Sequence, residues 1–556
     1  MTINVDNIGN NVFGKNVDSV KYSKRVQNFV AILVILIFAG INISSVRRGF
    51  SLTTDEDKHY LYGEHILAGN PSRFNPSTMP ATALNALPKR ISSFLDDGRI
   101  KNILSRYSLA RSITIFFSCL IAYFIFCWAR LLYGFIPALF SLVLYVLDPN
   151  IIAHSQLVTT DVYVTGSMAF AFYTLWRFAR ERTTQNGLLC LFALGVSQLT
   201  KYTAIVLFPL FFLTLLSFDL SSWKKLLIKM EDVKHFLFRY VRYAGLAFLA
   251  LILIINIGFL FSRTFRYFGE YNFRSDLLKK IQSGVPVLYF FPVPVPEPYL
   301  SGLDYMSNVD ESGSAEGNNY LLGAVRTEWG FPGYYFIASI LKVPISTQII
   351  LTLAILVYFS RQGLRTFFLQ DEFFLLVPVV FFSIYFNFFF NTQVGIRYYL
   401  PVFPFLYIFS GSLFVGWEMF SKVKKMISLV LLAYRSVSVF SYHPYYLSYF
   451  NEIVWNRMDA YKYLADSNVD WGQGKNELDQ YLSTHPGALY HPNRVRSGRL
   501  VIRINDLVGV TQNPEKYAWL RDNFEPVEEI AYSYLVYKIS QEEIEVLCAT
   551  TSYCDK

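Results

Sequence analysis

Long apolar runs recur through the first four-fifths of this chain, with approximate centres at Leu36, Cys119, Leu142, Ala171, Leu194, Pro209, Leu251, Ala354, Phe381, Ile408 and Leu431. The hydrocarbon layer of a bilayer is roughly 30 Å thick and takes about 20 apolar residues per helical crossing. Within it every backbone N–H and C=O must be satisfied by the protein itself, which a helix achieves and a lipid-exposed loop does not. The runs therefore predict a polytopic α-helical membrane protein with about eleven transmembrane helices. At 53% hydrophobic and 16% charged residues, the 556-residue chain is too apolar for an ordinary soluble enzyme. The runs around Leu142 and Leu194 are short, and a proline interrupts the one around Pro209.

Lysine and arginine placement gives the expected orientation, because short cytoplasmic loops are enriched in both. The clusters Lys21-Lys24-Arg25, Arg177-Arg180-Arg182, Lys224-Lys225-Lys229, Arg361-Arg365 and Lys422-Lys424-Lys425 all fall on the side of the N-terminus if there are eleven spans. The N-terminus is then cytoplasmic and the C-terminus extracytoplasmic. The first apolar run starts late and lacks a small-residue cleavage site, so it reads as a retained anchor. A net charge of +9 is accounted for by the cytoplasmic clusters and calls for no nucleic-acid partner.

The expected organisation is a cytoplasmic tail over residues 1–26, a transmembrane domain over 27–441 and an extracytoplasmic domain over 442–556. Two outer loops belong to the middle part. Residues 45–108 are expected to form short amphipathic helices on the membrane, and 262–330, rich in proline and then in glycine and asparagine, an irregular lid or ordered connector. The last part reads as a small α/β domain, with helices over 460–464, 475–482 and 515–523 and strands over 499–504 and 532–539. No internal repeat is apparent, which weighs against an inverted-repeat transporter. Cys119, Cys127 and Cys190 read as packing residues in or beside spans, whereas Cys548 and Cys554 would close a short disulfide loop in an oxidising compartment.

Four polar interruptions carry the candidate chemistry. The first, Thr53-Thr54-Asp55-Glu56-Asp57-Lys58-His59-Tyr60, follows the first span. Its plain role is a helix start capped by Thr54 or Asp55. A carboxylate at the edge of an apolar layer can also be tuned as a general base for a hydroxyl or amine. The second, Asp148 to Asp161, contains His154 and ends in Thr160-Asp161, which would cap the next span. The third, Gln198-Leu199-Thr200-Lys201-Tyr202-Thr203, places a lysine between two apolar runs, and the fourth, Gln393 to Pro401, carries Arg397 and Tyr398. Snorkelling or interfacial anchoring would account for either cation alone. Two acids and two cations on the outer side, against the charge bias, point instead to a phosphate leaving group: lysine offers a point charge, arginine a bidentate fork.

Taken together these motifs resemble the membrane glycosyltransferases of the GT-C class, in particular the family 39-like bacterial relatives of the protein O-mannosyltransferases and aminoarabinose transferases. The resemblance rests on Thr54-Asp55-Glu56, His154-Ser155-Gln156-Leu157-Val158-Thr159-Thr160-Asp161, Leu199-Thr200-Lys201-Tyr202, Pro294-Val295-Pro296-Glu297-Pro298-Tyr299, Leu341-Lys342-Val343-Pro344, Arg397-Tyr398-Tyr399-Leu400-Pro401 and Tyr446-Leu447-Ser448-Tyr449-Phe450-Asn451, in that order. It implies a polyprenyl-phosphate-linked sugar donor, a protein, lipid or glycan acceptor, and an inverting transfer at the outer face of a bacterial plasma membrane. By position Asp55 would be the catalytic base with Glu56 supporting it, Asp161 would position acceptor or base, and Lys201, Arg397 and Tyr398 would hold the phosphate. His59, Tyr60 and His154 are candidate substrate contacts.

The chain departs from these relatives in the first loop, with Asn75-Pro76-Ser77-Thr78-Met79-Pro80 where they often carry His-Pro-Pro. The segment Asp466-Ser467-Asn468-Val469-Asp470-Trp471-Gly472-Gln473-Gly474 reads equally as a structural turn or an acceptor site. A divalent cation is possible at the two acids, but Lys201 and Arg397 could neutralise a phosphate without one, so no metal or other cofactor is expected to be obligatory. A transporter of the lipid-linked sugar and a catalytically inactive relative are the competing readings. A transporter is expected to carry ionisable residues near the middle of its helices rather than at one edge.

Overall fold

The computed structural model describes residues 22–48, 50–223, 230–313, 317–360 and 368–555. The chain is a polytopic helical membrane protein with a small C-terminal α/β domain, and all eleven expected centres lie inside helices. Among the described residues four segments are long and apolar enough to cross a membrane: Lys24–Arg47, Tyr107–Tyr133, Tyr202–Leu220 and Val241–Gly258. Two more crossings result if each bent pair is one span, namely Phe135–Val146 with Pro149–Ser155 (62°) and Tyr334–Lys342 with Ile345–Ser360 (116°). The helices Thr184–Ser197 and Phe373–Phe388 are apolar but shorter. Of the basic clusters, Lys21, Lys224, Lys225, Lys229, Arg361 and Arg365 lie outside the described residues.

Sequence explains the breaks. Gly134, at φ 90°, lets the chain turn between the Tyr107–Tyr133 and Phe135–Val146 helices. Pro149 cannot continue the second of these; it begins a new helix, capped by Asp148 through the amides of Asn150 and Ile151. The Asp161–Arg180 helix is buried almost all round and forms the centre of the bundle. At Gly166 it approaches the Tyr107–Tyr133 helix so closely that an added Cβ would lie 2.5 Å from the Ile121 side chain.

The first loop forms the expected short helices, Glu56–Leu67, Ala83–Ser92 and Gly98–Leu104. Ala83–Ser92 buries Asn85, Ala86 and Pro88 while Leu84, Leu87 and Ile91 stay exposed, an apolar face suited to lipid. The second loop is an ordered connector: it holds the helices Asp276–Gly284 and Glu297–Ser312 and an antiparallel hairpin of β1, Asn319–Leu321, and β2, Ala324–Arg326.

In the C-terminal domain four strands, β3 Ala488–Tyr490, β4 Gly498–Arg503, β5 Glu528–Ile530 and β6 Tyr534–Ile539, form one sheet in the order β3-β4-β6-β5. Only β3 and β4 pair in parallel. The two six-residue strands and the Lys475–Thr484 helix match the sequence pattern; the three-residue strands are too short to show an alternation. Of residues 460–464, the first three end a 3-10 turn over Arg457–Lys462, and 515–523 contains only the short helix Ala518–Arg521. Cys548 and Cys554 are joined in a disulfide, and Cys119, Cys127 and Cys190 are free.

Candidate active site

The site begins with a buried ion pair. Glu56 is fully buried and accepts from Arg111 Nε at 2.9 Å and Nη2 at 2.6 Å, from the amides of Thr53 and Val158 at 2.9 Å each, and from Thr53 Oγ1 at 3.2 Å. Arg111 spends its remaining donors on the carbonyls of Phe50 at 3.0 Å and Ser51 at 2.8 Å. One carboxylate thus joins the end of the first span, the Tyr107–Tyr133 helix and the strand of loop ahead of Asp161. Arg111 was not among the sequence candidates, although an arginine in the first turn of an apolar helix requires a partner.

Asp55, one residue earlier, faces the other way, into a cavity of about 490 Å³. It stands at the helix N-cap position but its side chain makes no capping bond. Its carboxylate instead contacts Arg397 Nη1 at 3.1 Å and Lys58 Nζ at 2.8 Å. Asp161 opens its helix without acting as a cap either, and accepts from Lys201 Nζ at 2.6 Å and Thr159 Oγ1 at 3.3 Å. Arg397 Nη1 lies 4.0 Å from the second Asp161 oxygen, so it bridges the two acids. Tyr398 presents its ring to Lys201, whose Nζ sits 3.7 Å from the ring centre. Neither cation is a snorkelling side chain: Lys201 is 13% and Arg397 12% exposed, both turned into the cavity.

The remaining candidates divide. His59 lines the cavity and its Nδ1 is buried without a partner. Burial pushes its imidazole down to about 4, against the opposing pull of Asp55 and Asp161. The same burial raises the Asp55 carboxyl, but Arg397, Lys58 and His59 outweigh it and hold it below its usual value. His154 lies behind the cavity wall, its Nδ1 4.0 Å from Asp161 and its ring 6.0 Å from that of Trp471. Tyr60 does not line the cavity; it packs on Tyr107 at 5.0 Å between ring centres.

Leu278, Leu300, Leu303 and Met306 from the second loop also line the cavity and give it an apolar wall. Asp310 closes it, accepting from the amides of Asn391 at 2.7 Å and Thr392 at 3.1 Å. No sequence signal marks Asp310 in its long connector. Ser77, from the segment where the chain departs from its relatives, also reaches the cavity. Among the described residues no three His, Cys, Asp or Glu side chains are grouped to hold a metal ion; the two acids of the cluster are engaged by cations.

Arranged in this way, the cavity offers the carboxylates of Asp55, Asp161 and Asp310, two cations able to hold an anion, and an apolar wall. Residues 106–231 match the family model described as dolichyl-phosphate-mannose-protein mannosyltransferase. This stretch contains Arg111, Asp161 and Lys201. Similar solved structures include ArnT from Cupriavidus metallidurans bound to undecaprenyl phosphate, at 12% identity and a TM-score of 0.47, covering 93% of this chain and 98% of that one. The apo state of the same protein aligns at 12% identity and a TM-score of 0.48, covering 92% and 97%. No curated protein sequence matches the chain.

Proposed function

We propose that this protein is a membrane glycosyltransferase of the GT-C class that moves a sugar from a polyprenyl-phosphate-linked donor to a hydroxyl or amine of a protein, lipid or glycan acceptor. The observation that carries the reading is the convergence of Asp55, Asp161, Lys201 and Arg397 from four distant segments on one end of a single cavity. The family-model match over the segment bearing Asp161 and Lys201 supports it. Asp55 takes the proton of the acceptor as the acceptor atom attacks the anomeric carbon from the face opposite the phosphate. The bond from anomeric carbon to phosphate oxygen breaks, the glycosidic bond forms with inversion, and the polyprenyl phosphate leaves with its charge held by Lys201 and Arg397. Asp161 fixes Lys201 and faces Arg397, which sets where the phosphate sits.

The transfer is assigned to the extracytoplasmic face of a bacterial plasma membrane. In support, Lys24 and Arg25 begin the helix whose far end leads to Asp55, and Arg177 and Arg180 end the helix that Asp161 begins. The test is mass spectrometry of surface polysaccharides, lipids and secreted proteins from cells with and without the gene, complemented by wild type or Asp55→Asn. Loss of one glycan on deletion and its return with wild type alone is the expected result. Full restoration by Asp55→Asn would remove the base assignment, and donor movement across the bilayer with no glycosylated product would favour a transporter.

A further inference from the structure

The turn over residues 466–473 of the C-terminal domain touches the segments that carry Arg397 and Asp55. Gly395 lies two residues before Arg397 at φ 97°, and a Cβ there would run into Ser467 Oγ and stand 3.3 Å from the Asn468 amide nitrogen, so the two segments pack closely. Asn468 Oδ1 accepts from the Ile396 amide at 3.0 Å, and Ser467 donates through its hydroxyl to the Val394 carbonyl. Trp471, only 5% exposed, lies under Arg397, with the guanidinium carbon 3.9 Å from the ring centre. The carbonyl of the same tryptophan accepts from Thr54 N at 3.0 Å and Thr54 Oγ1 at 3.2 Å, immediately before Asp55.

The tryptophan is itself held. Its amide donates to Gln473 Oε1 at 2.6 Å; next to it, Asp470 accepts from Arg503 Nε on β4 at 2.5 Å and from the Gly472 amide at 2.9 Å. A side chain that stacks on the cation and pins the residue before the base controls their separation. With one guanidinium face on the indole, Nε on the Val394 carbonyl at 3.1 Å and Nη1 on Asp55, the outer edge of Arg397 is what remains for a ligand.

We propose that Trp471 is a positioning residue that holds Arg397 against Asp55, making the C-terminal domain part of the catalytic unit and not a separate acceptor module. Its activity arm rests on the function proposed above; its structural arm does not. In the structure of the full-length Trp471→Ala protein in nanodiscs, the 3.1 Å contact between Arg397 Nη1 and Asp55 is expected to be lost. An unchanged contact overturns the proposal whatever reaction the protein performs.

Trp471→Leu keeps an apolar side chain in the site without a ring face, and Trp471→Phe keeps a ring. Cell-based glycan formation is expected to fall roughly tenfold to thirtyfold in Trp471→Leu, the scale of a desolvated cation–π contact, and to stay within about threefold of wild type in Trp471→Phe. The acid limb of the pH profile should also move upward in Trp471→Leu, because Asp55 loses Arg397, the cation that does most to lower its carboxyl. Equal activity and an equal pH limb in Trp471→Leu and wild type, with the leucine protein folded, would overturn the positioning role. Loss of glycan formation in wild type as well would count against the proposed function and leave the structural comparison to decide this one.

Discussion

Asp55 and Glu56 are neighbours in sequence and opposites in use. Glu56 is fully enclosed, with five hydrogen bonds of which two are a fork from Arg111, so it binds segments together and has no lone pair to spare for a substrate. Asp55 remains partly open, 16% exposed, and its partners are two cations, Lys58 and the cavity-lining Arg397. The pair divides along that line: Asp55 is left facing the cavity, and Glu56 forms the rigid frame beside it. The same division separates Arg397, which meets the cavity, from Arg111, which does not.

The sharpest way to break this comparison is to neutralise each acid in turn. Asp55→Asn should lower turnover by about a hundredfold to ten-thousandfold, the range for loss of a general base, with little change in thermal midpoint. Equal loss of folded protein in this variant would place Asp55 in the frame with Glu56. Glu56→Gln should do the reverse in kind. Leaving Arg111 buried without its countercharge is expected to cost about 3–5 kcal/mol of stability, seen as a lower melting midpoint and poor recovery from membranes. Normal yield and melting with selective loss of activity would reassign it to the chemistry.

The cavity side also titrates through His59. Its imidazole is driven from 6.5 to about 4 by burial, so between these values the unfolded chain binds a proton that the folded chain refuses. Stability should therefore rise with pH across that window and be lost as pH falls through it; the lowered Asp55 carboxyl adds a loss in the same direction only at still lower pH. Melting midpoints measured from about pH 4 to about pH 7 should show this slope, and His59→Gln should flatten it. A slope unchanged in His59→Gln would assign the effect elsewhere. The smallest effect is expected for Lys58→Ala. Lys58 is 22% exposed and three residues from Asp55, and loss of such a pair should change stability by less than about 1 kcal/mol while activity persists.

Much of this was legible without a structure, for reasons that differ by region. Apolar runs mark helices because bilayer thickness and backbone satisfaction leave the chain few choices, and each expected centre is helical. The site candidates were visible because ionisable residues stand out against apolar neighbours, and Asp55, Asp161, Lys201, Arg397, Tyr398 and His59 all line the cavity. Tyr60 and Glu56 do not, and the reason is local geometry. Successive residues at a helix start diverge by about 100°, so adjacency in the motif says nothing about which side chain meets the substrate. The short strands β3 and β5 carry no periodic signal because they have three residues, and the helices of the second loop are masked by the prolines and glycines around them, although Leu277, Leu278 and Ile281 stand at helical spacing.

The sequence alone determined that this chain builds a helical membrane domain with a small α/β domain behind it, and that acids and bases cluster between its helices, since hydrophobic length and charge placement act locally. Only the tertiary structure decided which acid faces the cavity, that Arg111 and not a ligand occupies Glu56, and that Trp471 lies under Arg397. Those are contacts between segments up to hundreds of residues apart, set by how helices pack and loops return, and no short-range pattern encodes them.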